Sequence, residues 1–133
     1  MAALATERIT PEALGGNCFG FPVDAGVITY FGGMVGVSHA GLARPAGSAP
    51  NLAIVGVAKQ TRNNSQGAAG AETVEARRGV FAVANDGSVT SGMVGQPAYA
   101  VDDQTVSASS NSNTRSQAGL IMNVDANGVW VKF

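Results

Sequence analysis

Charged side chains are scarce in this sequence. Of 133 residues, 8 are Lys or Arg and 9 are Asp or Glu, which gives 13% charged residues and a net charge of −1. An ordinary soluble domain has roughly 25%. Because charge is a main device that keeps monomers apart in solution, this composition favours a subunit that packs against neighbours. It fits a Gly- and Ala-rich soluble β domain equally well.

Basic residues are too few and too scattered to form a nucleic-acid-binding surface, since only Arg77 and Arg78 are adjacent. A stripe of Lys and Arg is what neutralises phosphates and drives such binding. No apolar run approaches the roughly 18 residues that a membrane-spanning helix needs. Residues 1–8 also lack the basic start and apolar core of a signal peptide. We therefore expect synthesis in the cytoplasm, and neither nucleic acid nor a membrane as a partner.

Cysteine and histidine occur once each, as Cys18 and His39. A lone cysteine excludes an internal disulfide and a Cys-rich zinc site, so we expect Cys18 to be a small buried hydrophobe. A lone histidine excludes a multi-histidine metal site, and we expect His39 in a loop or on the surface. The glycine spacing of a dinucleotide-binding fingerprint and the Gly-Lys pair of a phosphate-binding loop are both missing. Asp102 and Asp103 are adjacent, so on an extended chain their carboxylates point apart. We predict no enzyme, no cofactor and no metal site.

Most of the chain carries β signals, and its length suits one domain with one modest core. β-Branched and aromatic residues fill residues 27–31, and a continuous apolar run covers 52–58. Residues 73–77 alternate, with Thr73, Glu75 and Arg77 on one face. Short strands at frequent turn spacing predict an all-β fold: a small single-domain β-barrel or β-sandwich with a short N-terminal arm.

The closing residues give the clearest strand pattern. Residues 120–124 and 129–133 flank a turn at 125–128, as in a β-hairpin. Alternation puts Val129, Val131 and Phe133 on one face of the last strand and Trp130 and Lys132 on the other. An earlier turn signal at Asn85-Asp86-Gly87 predicts a second hairpin, whose return strand starts at Val89.

Residues 1–16 differ from the rest and form the predicted N-terminal arm, and residues 17–133 form the β-rich domain. Thr10 could cap a single helical turn that starts at Pro11 and ends at Gly15-Gly16. So short a segment does not fold alone, which makes it either a frayed terminus or an arm that orders on a partner. The polar, Ser- and Asn-rich residues 107–117 are expected to form a long loop that acts as a linker, a tip or a binding loop.

Several short segments follow one another in a characteristic order along residues 17–133: residues 27–35 (VITYFGGMV), 52–58 (LAIVGVA), 77–81 (RRGVF), 99–107 (YAVDDQTVS), 118–121 (AGLI), 124–125 (VD) and 129–131 (VWV). The most distinctive are the stretch at 99–107 and the closing hairpin. In this order the segments resemble those of tailed-phage head decoration or capsid cement proteins.

This resemblance implies a structural virion protein without catalytic residues. Such a protein binds the major capsid protein on the outer surface of the expanded head and stabilises it. The expected self-association is a homotrimer at threefold positions first, and a dimer second. Two alternatives stay open, namely another virion component of the tail or neck, and a small β-barrel module that binds a ligand or peptide.

The contacts with the capsid or with other copies are expected at residues of the arm, of the long loop and of two aromatic positions. Trp130 and Tyr99 are expected to be core or interface aromatics rather than sugar- or base-stacking residues. The full set is Thr6, Glu7, Arg8, Ile9, Tyr99, Arg115 and Trp130.

Overall fold

The computed structural model describes residues 5–8, 16–47 and 49–133. Their architecture is all-β, as predicted, and consists of a five-stranded sheet, a closed five-stranded barrel and a small two-stranded sheet. A 3-10 turn lies at Ser91–Met93. The strands are β1 Cys18–Pro22, β2 Ile28–Thr29, β3 Met34–Val37, β4 Ala43–Pro45, β5 Ala53–Ala58, β6 Arg62–Asn63, β7 Thr73–Arg77, β8 Val80–Asn85, β9 Pro97–Ala100, β10 Thr105–Ser107, β11 Gln117–Asp125 and β12 Gly128–Lys132.

The first half of the chain forms the antiparallel sheet, in the order β1-β7-β5-β3-β4. Strand β7 alternates as predicted: Thr73, Glu75 and Arg77 are exposed, while Val74 and Ala76 are buried. The buried side chains belong to an apolar cluster made only of residues from this half, namely Val23, Val35, Ala43, Val55, Ala58, Val74 and Ala76. Period-two alternation thus gives the sheet one dry face.

The second half closes into a barrel in the order β10-β8-β12-β11-β9, so the barrel alternative is the one observed. The β8–β10 pair is parallel and the others are antiparallel. In β12, Val129 and Val131 are fully buried inside the barrel. Trp130 and Lys132 lie on the outer side, and Phe133 packs partly against the core. The predicted closing hairpin is therefore confirmed.

The sheet and the barrel share a core. Met34, Leu52 and Ile54 of the first half pack in one cluster with barrel residues such as Ile121. A hydrogen bond joins the two halves as well, because the Met34 amide donates to the Asp103 carbonyl oxygen at 2.7 Å. Residues 16–133 thus fold around contacts that cross the midpoint of the chain.

Several local expectations differ from the structure. The strand expected at 27–31 is limited to Ile28–Thr29, because the chain turns at Tyr30. The loop expected at 38–51 contains strand β4, and the one expected at 59–71 contains β6. Asn85-Asp86-Gly87 does form a turn, but the predicted hairpin is wrong since no return strand starts at Val89. The predicted helical turn at Thr10 and Pro11 lies outside the described residues.

The expected burial of Cys18 is also only partial. Cys18 lies on β1, an outer strand of the sheet, and its side chain is partly exposed. His39 is exposed in a loop, as expected. In the part of the chain that the structure describes, no helix has the length and apolarity to span a membrane.

Candidate functional site

The most exposed large apolar side chains lie on a tight turn, residues 30–33, which we call the aromatic tip. Phe31 is 72% exposed and Tyr30 55%. The Gly33 amide donates to the Tyr30 carbonyl oxygen at 3.0 Å, and Gly32 takes a positive φ of 82°. That conformation is easy only for glycine. The Phe31 amide donates to the Thr61 hydroxyl oxygen at 2.9 Å, so both sides of the turn are held and the two rings face solvent.

A groove runs beside the aromatic tip, between the sheet and the barrel. We call it the apolar groove, and its volume is about 390 Å³. Phe81 of the barrel lines the groove, and its ring contacts the ring of Phe133, with 6.3 Å between the ring centroids. Two basic side chains, Lys59 and Arg77, line the groove. The Lys59 Nζ atom forms an ion pair with Glu75 Oε2 at 3.6 Å. The lining residues are Phe31, Gly32, Val57, Ala58, Lys59, Arg77, Phe81, Ala82 and Val83. The tip and the groove form one continuous, mainly apolar surface.

Asp103 lies behind the aromatic tip, with its Oδ2 atom close to Gly33. Burial raises the pKa of Asp103 above its ordinary value of 3.8, and the neighbouring Asp102 charge raises it further, against a backbone hydrogen bond that lowers it. The native state therefore holds this proton to a higher pH than the unfolded chain does.

We expect Asp103 to make folding stability fall as pH rises through its raised pKa, because the native state binds more protons than the unfolded state in that window. The measurement is urea unfolding of the wild type and of Asp103→Asn, from below pH 3.8 to neutral pH. The wild type should lose stability relative to the variant as the pH rises, and the difference should become constant above the window. Parallel profiles would contradict the assignment.

A second apolar surface lies on the outside of the barrel. The register places Val80 and Leu120 on either side of Lys132, so all three point outward. Met122 is exposed nearby on β11. Trp130, one of the predicted contact residues, is partly buried on the same outer face, and its Nε1–H donates to Asp125 Oδ2 at 2.9 Å.

The structure does not bring the predicted contact residues into one site. Tyr99 is partly buried, and its register places it opposite Gln117, whereas Trp130 lies opposite Asn123 towards the other end of β11. Thr6, Glu7 and Arg8 are exposed. Ile9 lies outside the described residues.

Arg115 holds the long loop 107–117 together. Its Nη1 donates to the Ser109 carbonyl oxygen at 3.2 Å, and its amide donates to the Ser110 carbonyl oxygen at 3.0 Å. The loop is joined to the sheet, since the Leu52 amide donates to Ser116 Oγ at 2.9 Å. Arg115 and His39 line a shallow groove beside this loop. The side chain that was expected to touch a partner thus has a structural role within its own loop.

Sequence reasoning missed the aromatic tip. The sequence places Tyr30 and Phe31 in a strand, because aromatic residues favour strands. The available signal was Gly32-Gly33, which marks a sharp turn and so places the preceding rings at a protruding position.

Within residues 5–8, 16–47 and 49–133, no group of three His, Cys, Asp or Glu side chains is placed to hold a metal ion. No protein-family model matches the sequence, and neither the curated proteins nor the solved structures contain a match to the chain.

Proposed function

We propose that this protein is a capsid decoration or cement subunit, which binds the outer surface of the expanded tailed-phage head and stabilises it. The aromatic tip carries the proposal, because Tyr30 and Phe31 present two exposed rings beside the apolar groove. Exposed aromatic residues next to an apolar surface are typical anchors of protein–protein interfaces. The segments that resemble decoration proteins point to the major capsid protein as the partner and to the virion exterior as the location.

The proposed mechanism is preferential binding to one state of the shell. A subunit that bridges capsid joints only after expansion lowers the free energy of the expanded state and shifts the equilibrium away from disassembly. Each contact needs only modest affinity, because many copies on a symmetric lattice add avidity. Expanded heads without the protein should therefore disassemble at a lower temperature than complete heads. Equal thermal stability of the two would contradict a cementing role.

The direct test is binding to heads that lack the protein. Purified protein is mixed with expanded heads and, separately, with unexpanded proheads. The heads are pelleted and the bound copies per particle are counted. Saturable binding to expanded heads alone, on the order of hundreds of copies at symmetric positions, is expected. A few tens of copies or fewer would point to the tail or neck, and no binding to either form would remove the proposal.

Replacing Phe31 with serine should weaken binding to expanded heads by about tenfold or more, because an aromatic anchor is lost. Val94→Ser is the matched control, since Val94 is also exposed but does not line the apolar groove. Phe31→Ser should change the free energy of unfolding by only about 0.5 kcal/mol, because the side chain is 72% exposed. Equal head binding by both variants would move the capsid contact elsewhere on the molecule.

The volume of the apolar groove favours one alternative function, a module that binds a small apolar ligand or an apolar peptide. A solvatochromic apolar dye tests it without heads. Saturable binding at one site that Phe81→Ser abolishes would support the module, whereas a protein that binds heads and gives no saturable dye signal would support decoration.

A further inference from the structure

Strand β1 is an outer strand of the five-stranded sheet. Residues Cys18–Pro22 pair on one side only, with β7, and the next residue, Val23, forms an isolated parallel bridge with Ala43 of β4. The Val23 amide donates to the Glu72 carbonyl oxygen, and the Arg78 amide donates to the Asn17 carbonyl oxygen. These two bonds show which residues along β1 form hydrogen bonds with β7 and which do not. Residues 17, 19, 21 and 23 therefore direct their backbone groups towards β7, while Cys18 and Gly20 direct theirs away from the sheet.

This edge lacks the features that usually prevent strand pairing. Protected edges carry charged side chains, a proline or very few residues. Strand β4, the last in the sheet order, is three residues long and contains Arg44 and Pro45. Strand β1 has five residues, no charge, and a proline only at its last position. Its Phe19 side chain is 47% exposed.

We propose that β1 pairs with β1 of a second copy in an antiparallel arrangement, with the twofold axis at Phe19. In this register Cys18 of each copy lies opposite Gly20 of the other. Both outward N–H groups and both outward C=O groups of each copy then form hydrogen bonds, four in all across the interface. Pro22, which has no N–H, falls outside these pairs. The two sheets become one continuous sheet across the twofold axis.

Charge complementarity selects this register. Arg77 lies beside Cys18 and Glu75 beside Gly20, all on the exposed face of the sheet. Four residues would then lie side by side across the interface. They are Arg77 and Cys18 of one copy, followed by Gly20 and Glu75 of the second copy. Three strand spacings separate the ends, about 14 Å between Cα atoms. The two long side chains can meet over the small residues between them.

The neighbouring registers are electrostatically worse. A twofold axis at Gly20 would align the two Glu75 side chains in one row, and an axis at Cys18 would align the two Arg77 side chains. These like charges would repel each other across the same three strand spacings at which the Phe19 register lets opposite charges attract. Arg77 has no carboxylate partner among the described residues, whereas Glu75 is shared with Lys59.

The other face of the same register buries the exposed ring. Phe19 points to the face of Ala76, where the first-half apolar cluster lies. On the twofold axis it would meet Phe19 of the second copy in a non-hydrogen-bonded pair, with Cα atoms about 4.5 Å apart. Aromatic cross-strand pairs of this kind stabilise sheets. The interface closes at two copies, so it favours the dimer over the trimer that the sequence suggested.

Disulfide trapping tests the register. A Phe19→Cys variant in a Cys18→Ser background should form a covalent dimer under mild oxidation, because its Cα separation lies at the short end of the range that disulfides bridge. Phe31→Cys in the same background is the control, since that position is more exposed but lies away from β1. In the wild type the two Cys18 residues are diagonal to each other and should not cross-link. Trapping through wild-type Cys18, or equal trapping at positions 19 and 31, would overturn the register.

Sedimentation equilibrium tests the dimer itself. The wild type should show twice the chain mass of 13.3 kDa. Phe19→Glu should raise the dissociation constant about a hundredfold, because it replaces the ring pair with two facing carboxylates. Arg77→Glu should raise it roughly tenfold, and adding Glu75→Arg should restore it. A monomeric or trimeric wild type, or a failure of the double charge reversal to restore pairing, would overturn the proposal.

This dimer does not depend on the proposed capsid binding. Phe31→Ser should still dimerise but bind heads more weakly. Phe19→Glu should be monomeric, while each subunit keeps its affinity for heads. Thermal unfolding of each variant verifies that it is folded. The two proposals can therefore fail separately.

Discussion

Replacing Gly56 with alanine is expected to cost about 3–5 kcal/mol of folding stability, the sum of backbone strain and overpacking. Gly56 lies in the buried strand β5 with a φ of 139°, a conformation that L side chains rarely adopt. A Cβ atom there would lie 2.3 Å from the carbonyl oxygen of Arg77 on β7. Because that contact is with backbone, no rotamer change can relieve it. Urea unfolding of both proteins measures the loss.

Gly26→Ala is the matched control for this prediction. Gly26 also has a positive φ, 77°, but a Cβ atom there would meet nothing within 4 Å. Only the conformational cost remains, about 1–2 kcal/mol. If both alanine variants lose equal stability, the close approach of β5 and β7 at Gly56 is not as tight as the structure indicates.

Replacing Asn64 with alanine is expected to cost about 2–4 kcal/mol, because buried carbonyl groups would lose their donor. Asn64 is almost fully buried, and its Nδ2 lies within hydrogen-bonding distance of three carbonyl oxygens. The distances are 3.2 Å to Val23, 2.9 Å to Asp24 and 2.9 Å to Ala68. Asn64→Asp keeps the shape but puts an acceptor against these oxygens, so it should cost more.

Asn63→Ala serves as the control. Asn63 is exposed, and within the described part of the chain its side chain accepts hydrogen bonds only from the amide and hydroxyl of the nearby Ser65. The change should cost about 1 kcal/mol or less, because both of these hydrogen bonds are exposed and water can replace them. Chemical denaturation of the three variants compares these effects, and an Asn64→Ala loss as small as that of Asn63→Ala would show that water replaces the missing donor.

Asn64 also explains why the polar segment 59–71 could not be interpreted from its composition. Gln, Asn, Ser and Gly there predict a flexible surface loop, since such residues favour turns. In the structure the buried Asn64 side chain forms hydrogen bonds that connect this segment to the turn after β1. Sequence composition does not reveal which polar residue of a loop points inward.

The strands that could be predicted are those whose alternation records a buried face. Residues 73–77 and 129–133 each show it, because one side of the strand packs on a core and the other faces water. The sequence has no comparable pattern to show which distant strands pair with each other. The parallel pairing of β8 with β10 joins segments separated by a 3-10 turn and by β9, and no local pattern specifies it.

The hairpin expected at Asn85-Asp86-Gly87 failed for a local reason. The Asn85 side-chain oxygen accepts from the amides of Gly87 and Val89, and its Nδ2 donates to the Val89 carbonyl oxygen at 2.8 Å. These bonds use backbone groups of Val89 that a return strand would need. Strand β8 pairs instead with β12, which arrives from the end of the sequence.

Of the residues expected to contact partners, the structure gives Trp130 and Arg115 internal hydrogen bonds and leaves Thr6, Glu7 and Arg8 exposed. The aromatic tip and β1 were not among them. Both depend on where a strand ends or which edge stays open, and these are properties of the assembled sheet rather than of any single segment.

The position of β12 in the barrel has a consequence for the order of folding during synthesis. Every strand of the five-stranded sheet, and the whole of its own apolar cluster, lies in residues 18–77. The strands of that sheet can pair once those residues leave the ribosome, while Met34, Leu52 and Ile54 stay without their packing partners until the barrel forms. Strand β12 stands between β8 and β11, so until it emerges both strands keep an open edge and the barrel cannot close. During synthesis, β8 and β11 therefore have unpaired edges that can contact other chains until β12 has emerged.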